Sequence, residues 1–394
     1  MSAAPTALLL GGSIGDVPLI VGLREAGYHV AVVGRDVDAP GHRAADTSFA
    51  ADFSDAAACE RVARSIGAEA VIPGSNDFAA ISAATVAESL SLPGHDSVDA
   101  TLQLNLKERF RSAQGGAGLP SPGFRRLDGS AESLSAAAAL RFPVIVKPTD
   151  LTGGKGIRTV HRADDLEGAV AHALAISRRP EVVVEEYLSG TRHGVTSIVR
   201  DGSVTFRFFD DEQYLPGGFR VVGTSMTTLD DRIQIEVVRQ LEILARSLAM
   251  VDGLLHAQFI ATPSGPVLVE ATRRAPGDLY PWFVEAAVGY PYTQAILAPY
   301  LGRALPDASP ADALRTVARW IVVSRGSGRY AGIGIDSDLR PAVLSIHEAY
   351  RRGEAVRSAG VTLAIVLLDA SALPPGQPSW SGGEPDSIWG IGLA

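Results

Sequence analysis

Short apolar runs alternate with helix-like segments along the first part of the chain. Residues 7–10, 29–33 and 70–72 are apolar runs of strand length, while residues 17–26 and 56–66 carry apolar positions at the wider spacing of a helix. Strands that alternate with helices in this way form βαβ units, whose strands pair in parallel. We therefore predict an N-terminal parallel sheet of the Rossmann-like type.

The pattern changes in the later part of the chain, where strand-like runs follow one another more directly. Asp201-Gly202 is a strong turn signal inside the hairpin predicted at residues 194–209, and a second hairpin is predicted around residues 262–265. Strand-length apolar runs, such as residues 361–368, return near the end, before a tail rich in Pro, Gly and Ser. The expected fold class is therefore α/β at the start and α+β with a β-rich C-terminal part.

Composition excludes several classes of function. The 394 residues are 46% hydrophobic and 20% charged, which is ordinary for a globular protein with more than one core. A net charge of −9, without a long run of Lys or Arg, argues against nucleic-acid binding. A single cysteine, Cys59, excludes an intrachain disulfide and a cysteine-based zinc site. The apolar runs are much shorter than a membrane span, so we expect a cytoplasmic protein without membrane contact.

A lysine followed by a glycine-rich loop, within residues 143–157, indicates phosphate binding. Lys147 ends the buried apolar run Pro143-Val-Ile-Val, where a desolvated ammonium group needs an anion. The loop Thr152-Gly-Gly-Lys-Gly156 follows, and its glycines allow backbone amides to curl around phosphate oxygens. The alternative is a surface turn with two lysines whose alkyl stems cover apolar surface.

Two later segments carry polar residues at strand ends. In Val182-Val-Val-Glu-Glu-Tyr-Leu188, a strand that ends in acidic residues could present its backbone to a purine edge, although a plain edge strand fits the same pattern. Gln258 and Glu270 end two neighbouring strands, and such oxygens suit Mg²⁺, which also takes phosphates and waters. Arg273 and Arg274 follow directly and could hold a planar carboxylate or acyl phosphate. The alternative for this segment is an exposed hairpin with a charged end.

The order and spacing of these positions resemble the ATP-grasp superfamily, and within it the amino-acid and peptide ligase branch of carboxylate–amine ligases. The resemblance is strongest over residues 105–289, and its most telling stretch is Glu270-Ala-Thr-Arg-Arg-Ala-Pro-Gly-Asp278. It implies an ATP-grasp fold in four units. These are an N-terminal Rossmann-like domain (1–104), a first ATP-grasp subdomain (105–185), a second subdomain with the metal site (186–305) and a C-terminal β-rich subdomain (306–394).

The resemblance also implies a role for each matching residue. Catalytic roles fall to Arg274, Lys155 and Arg273. Nucleotide binding falls to Lys107, Lys147, Gly153, Gly154, Gly156, Glu185, Glu186, Tyr187, Leu188 and His193. Metal binding falls to Gln258, Glu270 and Thr272. The implied cofactors are ATP and Mg²⁺, with Mn²⁺ as a substitute, and the implied partners are small-molecule carboxylates and amines. The apolar C-terminal sheet is compatible with a homodimer.

Two of these positions depart from the superfamily pattern. Gln258 stands where an acidic residue is usual, although amide ligands occur in the carbamoyl-phosphate branch, and Thr272 stands where Asn is usual. The expected reaction is transfer of the γ-phosphoryl group to a carboxylate, followed by attack of an amine to form an amide or peptide bond. The alternatives are a carboxylase, a formate- or phosphoribosylamine-type ligase, and a nucleotide-binding protein that lacks ligase activity.

Three other features remain open at this point. Gly11-Gly-Ser-Ile-Gly15 matches the G-x-S-x-G pattern of hydrolases and loosely suggests a dinucleotide-binding oxidoreductase, but we interpret it as a tight turn whose amides face a substrate anion. Asp77, after the third strand, is either a substrate contact or a helix N-cap. Residues 152–156 and 211–223 are candidate loops that close over the site and exclude water.

Overall fold

The computed structural model describes residues 4–149, 151, 154–177, 181–215, 217–307 and 315–373, together with the backbone of residues 388–390. Its first unit is a parallel sheet in the order β3-β2-β1-β4 with helices on both faces, as the alternating apolar pattern predicts. The elements of this unit are β1 (Thr6–Leu10), α1 (Val17–Glu25), β2 (His29–Gly34), α2 (Pro40–Ala44), β3 (Thr47–Ala50), α3 (Ala56–Ser65), β4 (Ala70–Pro73) and α4 (Asp77–Leu90).

Two helices, α5 (Val98–Asn105) and α6 (Lys107–Gly116), lead from this sheet into a smaller antiparallel sheet in the order β5-β8-β6-β7. Apolar side chains of β6 and β8, such as Val144, Val146 and Val184, pack against α8, which makes one side of this unit dry. The elements are β5 (Phe124–Leu127), α7 (Ala131–Ala138), β6 (Val144–Pro148), β7 (Arg158–Val160), α8 (Leu166–Ile176) and β8 (Val182–Glu186).

The rest of the described chain is dominated by a large antiparallel sheet in the order β13-β12-β9-β10-β11-β14-β19-β17. Its elements up to the last helix are β9 (Thr191–Arg200), β10 (Ser203–Tyr214), β11 (Val221–Met226), α9 (Asp231–Ser247), β12 (Gly253–Thr262), β13 (Gly265–Thr272), α10 (Tyr280–Val288) and α11 (Tyr292–Leu297). The elements that follow are β14 (Val317–Val323), β15 (Gly328–Arg329), β16 (Ile333–Ile335), β17 (Val343–Glu348), β18 (Ala355–Val356), β19 (Thr362–Asp369) and β20 (Ile388–Gly390).

Both predicted hairpins are present in this sheet. Asp201 and Gly202 join β9 to β10 with φ angles of 51° and 70°, which is the left-handed backbone that a tight hairpin turn requires. Three C-terminal strands, β14, β19 and β17, belong to the same sheet, because β14 pairs with β11 through Gly223 and Trp320. The short strands pair separately, β15 with β18 and β16 with β20. The predicted boundary between residues 305 and 306 therefore separates strands of one continuous sheet.

The two faces of the large sheet are covered differently, and this decides which side chains reach the cleft. Helix α9 covers one face, where Leu241 and Leu244 pack with Phe259. Helices α10 and α11 pack on the other face together with α1 of the N-terminal domain, as the contact cluster of Leu19, Tyr292 and its neighbours shows. Since side chains alternate along a strand, each residue belongs to one face only. Within the described part of the chain, no helix is long and apolar enough to cross a bilayer.

Candidate active site

A buried charge cluster lies at the junction of α6, β6 and β8. Lys147 Nζ is 2.7 Å from Glu185 Oε2, and Arg111 Nε donates to Glu185 Oε1 at 2.8 Å. All three side chains are almost fully buried. Arg111 also donates to the Val269 carbonyl of β13, so the cluster joins the small sheet to the large one.

The cluster contains two cations and one carboxylate, so it carries one uncompensated positive charge. Burial alone would raise the pKa of Glu185, but the Arg111 and Lys147 charges lower it to about 2. The pKa of Lys147 is lowered, first by burial and then by repulsion from Arg111 and Lys107, against the attraction of Glu185. A buried cation that is only partly neutralised is stabilised by a further anion, which is what a bound phosphate supplies.

Of the remaining lysines, one lies near this cluster and the other at an adjoining cavity. Lys107 begins α6, and its Nζ donates to the Leu151 carbonyl at 3.0 Å, at the start of the glycine-rich loop. Lys155 lines a cavity together with Leu151. The whole chain contains only these three lysines beside 32 arginines. This restriction is a sequence signal that the motif-based prediction did not use.

The glycine-rich loop is described in part, since Thr152 and Gly153 lie outside the described residues. Gly154 and Gly156 have φ angles of 76° and 72°, where a side chain would be strained. A Cβ on Gly154 would lie 2.7 Å from the carbonyl carbon of Phe219. Phe219 belongs to the second predicted closing segment, of which Pro216 also lies outside the described residues. The two candidate loops therefore contact each other.

The end of β8 leaves the sheet at the predicted adenine-binding residues. The Tyr187 amide donates to the Pro143 carbonyl as the last contact with β6, and the half-buried Leu188 follows outside the strand. The Glu186 side chain accepts hydrogen bonds from the backbone and guanidinium of Arg141. Glu185, in contrast, is held by Lys147 and Arg111 as described above. Its side chain therefore anchors the lysine, and the nucleotide-binding role that the resemblance implies for Glu185 stays a prediction.

Gln258 and Glu270 are directly paired across β12 and β13, so both side chains project from the same face. Glu270 is exposed and lies within the electrostatic influence of Arg274, Lys107 and Lys147, but it makes no ion pair with any described residue. The Gln258 amide donates through Nε2 to Glu212 Oε1 of β10 at 2.5 Å, while its Oε1 accepts no hydrogen bond within the described part of the chain. An open carboxylate and an open amide oxygen side by side fit Mg²⁺, a hard cation that prefers oxygen ligands.

A divalent cation bound by Gln258 and Glu270 would also reduce the electrostatic repulsion between the carboxylates of Glu270 and Glu212. The pKa of Glu212 is raised, first by burial and also by the negative charge of Glu270. No group of three or more His, Cys, Asp or Glu side chains with metal-binding geometry occurs among the described residues. The protein thus offers a small set of oxygens, and phosphates or waters would complete the coordination.

Thr272, the third predicted metal ligand, is engaged elsewhere. Its hydroxyl contacts Asn105 Oδ1 at 3.4 Å and accepts the Arg274 amide at 3.4 Å, and the residue is buried. The shorter side chain holds the strand end to α5 instead of reaching Glu270. The structure therefore does not support the prediction that Thr272 binds the metal.

The two arginines after β13 have opposite environments. Arg274 reaches Asp77 of α4, with Nη2 2.7 Å from Oδ1, at the boundary of the N-terminal domain. Arg273 points the other way, where Nε lies 2.9 Å from the buried Asp96 and Nη2 donates to the Val251 carbonyl. Both arginines lie in the bend that follows β13, and the chain directs them to different sides. The catalytic prediction for Arg273 is corrected on this basis, because its side chain holds units together away from the cleft.

His193 is likewise turned away from the site. Its Nδ1 is 2.8 Å from Asp211, its Nε2 is 2.6 Å from Thr191, and its ring stacks on Phe259 beneath α9. Both ring nitrogens are used, so neither is free for the nucleotide-binding role implied for His193. The neighbouring Arg192 occupies the cleft face instead, with its guanidinium over the rings of Tyr214 and Phe219.

The glycine turn after β1 does not have the free backbone amides that the sequence predicts to face a substrate anion. The amides of Gly12 and Ser13 donate to Asp16 Oδ2, both at 2.8 Å, and the Ser75 amide donates to Asp16 Oδ1 at 2.6 Å. These donors are therefore occupied by a carboxylate of the protein, and the turn does not offer them to a substrate anion. The Ser13 hydroxyl bonds Asp16 and Ser75, and no histidine is among its partners in the described residues.

The loop between β13 and α10 is fixed by a residue that sequence reasoning missed. Arg319 of β14 donates to the carbonyls of Gly277 and Asp278, both at 2.9 Å, and to Thr224 Oγ1.

The helix cap beside the cleft is Asn76, whose side chain accepts the Phe78 amide, so Asp77 is free of that role. Arg111, Glu212 and Asp16 were also missed, since each acts through contacts between distant segments.

Comparison with known proteins supports the assignment of the cleft. Residues 107–206 match the family model described as the carbamoyl-phosphate synthase L chain, ATP binding domain. Over 200 residues the chain is 27% identical to the carbamoyl phosphate synthase large chain of Neisseria meningitidis serogroup B, covering 50% of this chain and 18% of that protein. Over 190 residues it is 28% identical to formate-dependent phosphoribosylglycinamide formyltransferase of Corynebacterium efficiens, covering 48% and 47%. The match thus spans less than half of each relative.

Solved structures resemble nearly the whole chain. An L-amino acid ligase from Bacillus licheniformis has a TM-score of 0.76 at 19% identity, covering 93% of this chain and 94% of that one. N5-carboxyaminoimidazole synthetase from Staphylococcus aureus, complexed with ADP, has a TM-score of 0.73 at 17% identity, covering 94% of both. Phosphoribosylglycinamide synthetase from Anaerococcus prevotii has a TM-score of 0.72 at 17% identity, covering 92% and 93%. At this identity the likeness concerns the fold alone, and it confirms the fold predicted from the sequence.

Proposed function

Because the chain has the ATP-grasp fold, we propose that it is an ATP- and Mg²⁺-dependent ligase that converts a carboxylate into an acyl phosphate and couples it to an amine. The proposed carboxylate belongs to an amino acid. The products are an amide or peptide, ADP and phosphate. Mn²⁺ is expected to replace Mg²⁺, since both accept oxygen ligands.

The observation that carries this proposal is the position of the three lysines of the chain, two beside the buried charge cluster and the third, Lys155, at the adjoining cavity. Lys107 and Lys147 are close enough to repel each other, and Lys107 and Lys155 both border Leu151. The buried part of this cluster retains an excess positive charge after Glu185 is counted. Such a site suits a polyanion such as the triphosphate of ATP.

The reaction requires positioning and charge stabilisation rather than a protein nucleophile. Lys107 and Lys147 would hold the phosphates, and Arg274 would hold the carboxylate as it becomes an acyl phosphate. Gln258 and Glu270 would hold Mg²⁺, which when bound neutralises charge on the phosphate oxygens. An acyl phosphate hydrolyses in water, and the contact between Gly154 and Phe219 supports a closing role for the two loops.

The cavity between the N-terminal domain and the glycine-rich loop supports an amino acid as substrate. It has a volume of about 420 Å³, and its lining carries both signs of charge: Asp16, Asp36 and Lys155, together with the ion pair of Arg35 and Asp52. A zwitterion is complementary to such a lining. A phosphorylated substrate is less so, because the backbone amides of the glycine turn are already taken by Asp16.

The test is ADP and phosphate release with a panel of amino acids, each alone and in pairs, with product mass determined by mass spectrometry. We expect amino-acid-dependent ADP release and a product whose mass equals the two substrates less water. Release stimulated only by bicarbonate or formate would replace the proposal by a carboxylase or a formate-type ligase. ATP binding without turnover under every condition would indicate a nucleotide-binding protein without ligase activity.

A further inference from the structure

The replacement of an acidic metal ligand by Gln258 has a counterpart on another strand. Glu212 of β10 accepts a hydrogen bond from Gln258 Nε2 at 2.5 Å, although β9 lies between the two strands. The Tyr214 hydroxyl donates to the other oxygen of Glu212, also at 2.5 Å. The Glu212 carboxylate is therefore fixed from both sides, and one of its two anchors is the Gln258 amide.

A glycine makes this contact across β9 possible. Gln258 is paired with Gly194, which is paired in turn with Asp210, and Glu212 follows two residues further on the same face. A Cβ on Gly194 would lie 2.7 Å from Asp210 Oδ1, so the row between β12 and β10 has no room for a side chain on β9. The glutamine can thus extend over the glycine to the glutamate.

The chemistry of an amide next to a carboxylate settles which atom of Gln258 faces which way. An ionised carboxylate has only acceptors, and Glu212 accepts one hydrogen bond from the Tyr214 hydroxyl and another from the NH₂ group of Gln258. The amide oxygen then points away from Glu212. Glu270, which is paired directly opposite Gln258, lies on the same face with its carboxylate open.

We propose that Glu212 is a positioning residue that turns the Gln258 amide oxygen toward the metal. Its carboxylate, which lies behind Gln258, also supplies the negative charge that glutamine lacks. The inference rests on the proposed function in so far as that function requires a divalent cation. Groups that orient a metal ligand typically change metal affinity by about 10- to 100-fold when they are removed. Glu212 acts in this way through Gln258 and does not itself touch the metal.

The experiment measures the affinity of Mn²⁺ for the complex of the protein with ADP, by electron paramagnetic resonance of the free ion. Glu212→Gln keeps the shape of the side chain. Because its amide can either donate or accept, it no longer forces Nε2 of Gln258 to face position 212. We expect Mn²⁺ affinity to fall about 10- to 100-fold, while ADP binding without metal stays unchanged. Glu60→Gln is the matched control, because Glu60 pairs with Arg64 on the surface of α3 and should leave Mn²⁺ affinity unchanged.

The decisive variant exchanges the two side chains. In the Glu212→Gln, Gln258→Glu double variant, the amide at position 212 can donate to the carboxylate at position 258, so the pair is restored with its direction reversed. We expect Mn²⁺ affinity to recover to within a few-fold of the original protein. The Gln258→Glu single variant, whose new carboxylate faces that of Glu212, is measured beside it, because it separates the restored pair from the gain of an acidic metal ligand. Tyr214→Phe, which frees one oxygen of Glu212, should weaken Mn²⁺ binding in the same direction and by less.

Two results would overturn the inference. One is unchanged Mn²⁺ affinity in folded Glu212→Gln protein, and the other is a double variant that binds Mn²⁺ no better than the single one. If Glu212→Gln does not fold, unchanged affinity in Tyr214→Phe contradicts the inference instead. The metal-binding measurement is independent of turnover, so a protein with this affinity pattern and no ligase activity would refute the proposed function and leave the role of Glu212 standing.

Discussion

Asp77 and Arg274 form an ion pair that links the N-terminal domain to the large sheet. Both Nε and Nη2 of the arginine lie within 2.8 Å of Asp77 Oδ1. Asp77 begins α4 beyond the carboxyl end of β4, and Arg274 follows β13 directly. The arginine proposed to hold the acyl phosphate is therefore positioned by a different unit of the fold, so its geometry depends on how the two units dock.

Arg274→Ala should lower kcat by about 10²–10³, because it removes a preorganised charge from the transition state. ATP affinity measured without the carboxylate substrate should change little. Steady-state kinetics and calorimetry check the two parts separately, with Arg239→Ala on the exposed side of α9 as control. An effect confined to the KM for ATP would contradict the assignment. Asp77→Asn should lower kcat by less, since Asp77 acts through Arg274.

Lys147→Ala should weaken ATP binding about 10- to 100-fold, since a hydrogen bond to a charged group contributes roughly 1.5–3 kcal/mol and each 1.4 kcal/mol is tenfold. Lys147→Arg should not restore the affinity. It keeps the charge, but the planar guanidinium does not replace a compact ammonium beside Arg111. Calorimetric titration with ATP measures both variants. Equal ATP affinity in Lys147→Ala and the original protein would place the phosphates elsewhere.

Amine-selective acylation should inactivate the protein by modifying the cleft, because the side-chain amines of the chain are confined to Lys107, Lys147 and Lys155. The exposed Lys155 should react first and the buried Lys147 last. Bound ATP should protect all three, as measured by peptide mass spectrometry. Labelling of Lys107 and Lys155 at the same rate with and without saturating ATP would be inconsistent with the proposed phosphate site.

Asp210→Asn should stabilise the protein at neutral and alkaline pH. Burial, followed by the charge of Glu212, raises the pKa of Asp210 to about 8, and its Oδ1 is buried without a hydrogen-bond partner among the described residues. A carboxyl group with a raised folded-state pKa favours folding fully below its unfolded-state pKa, and this contribution is lost as pH rises toward 8. Asparagine has no carboxyl group to ionise, so the variant does not lose stability at this position as the pH rises.

The measurement for this variant is thermal unfolding from pH 4 to pH 9. The midpoint difference between Asp210→Asn and the original protein should be small near pH 4 and grow toward pH 8. Asp231→Asn, in the exposed first turn of α9, provides a control outside the large sheet. A difference that is constant over this range would show that the Asp210 carboxyl does not titrate as inferred.

Local patterns were sufficient to predict the elements and the phosphate loop. The hairpin at Asp201-Gly202 follows from the backbone that a short turn requires. Lys147 and the glycines after it could be predicted because a lysine at the end of an apolar run, followed by a cluster of glycines, is visible in one contiguous stretch of sequence. The parallel N-terminal sheet follows from alternation of apolar runs, which is also a local property.

The positions that sequence could not place depend on strand parity and on packing between units. His193 and Arg192 differ by one residue, and one step along a strand exchanges the cleft face for the face under α9. Arg273 and Arg274 diverge in the bend after β13, which no sequence pattern places. Arg111 and Glu212 become significant only when α6 meets β13 and when β10 approaches β12, which no local pattern encodes.

The pairing of β11 with β14 has a consequence for protein engineering. Since Arg319 and the C-terminal strands complete the sheet that also carries Gln258 and Glu270, a chimera joined near residue 305 would inherit half of a sheet from each parent. Where the β14 of the second parent does not fit the β11 of the first, β11 becomes an unpaired sheet edge, and such edges pair with other chains. Recombination with a relative should therefore keep residues 186 to 373 together and exchange segments only before β9.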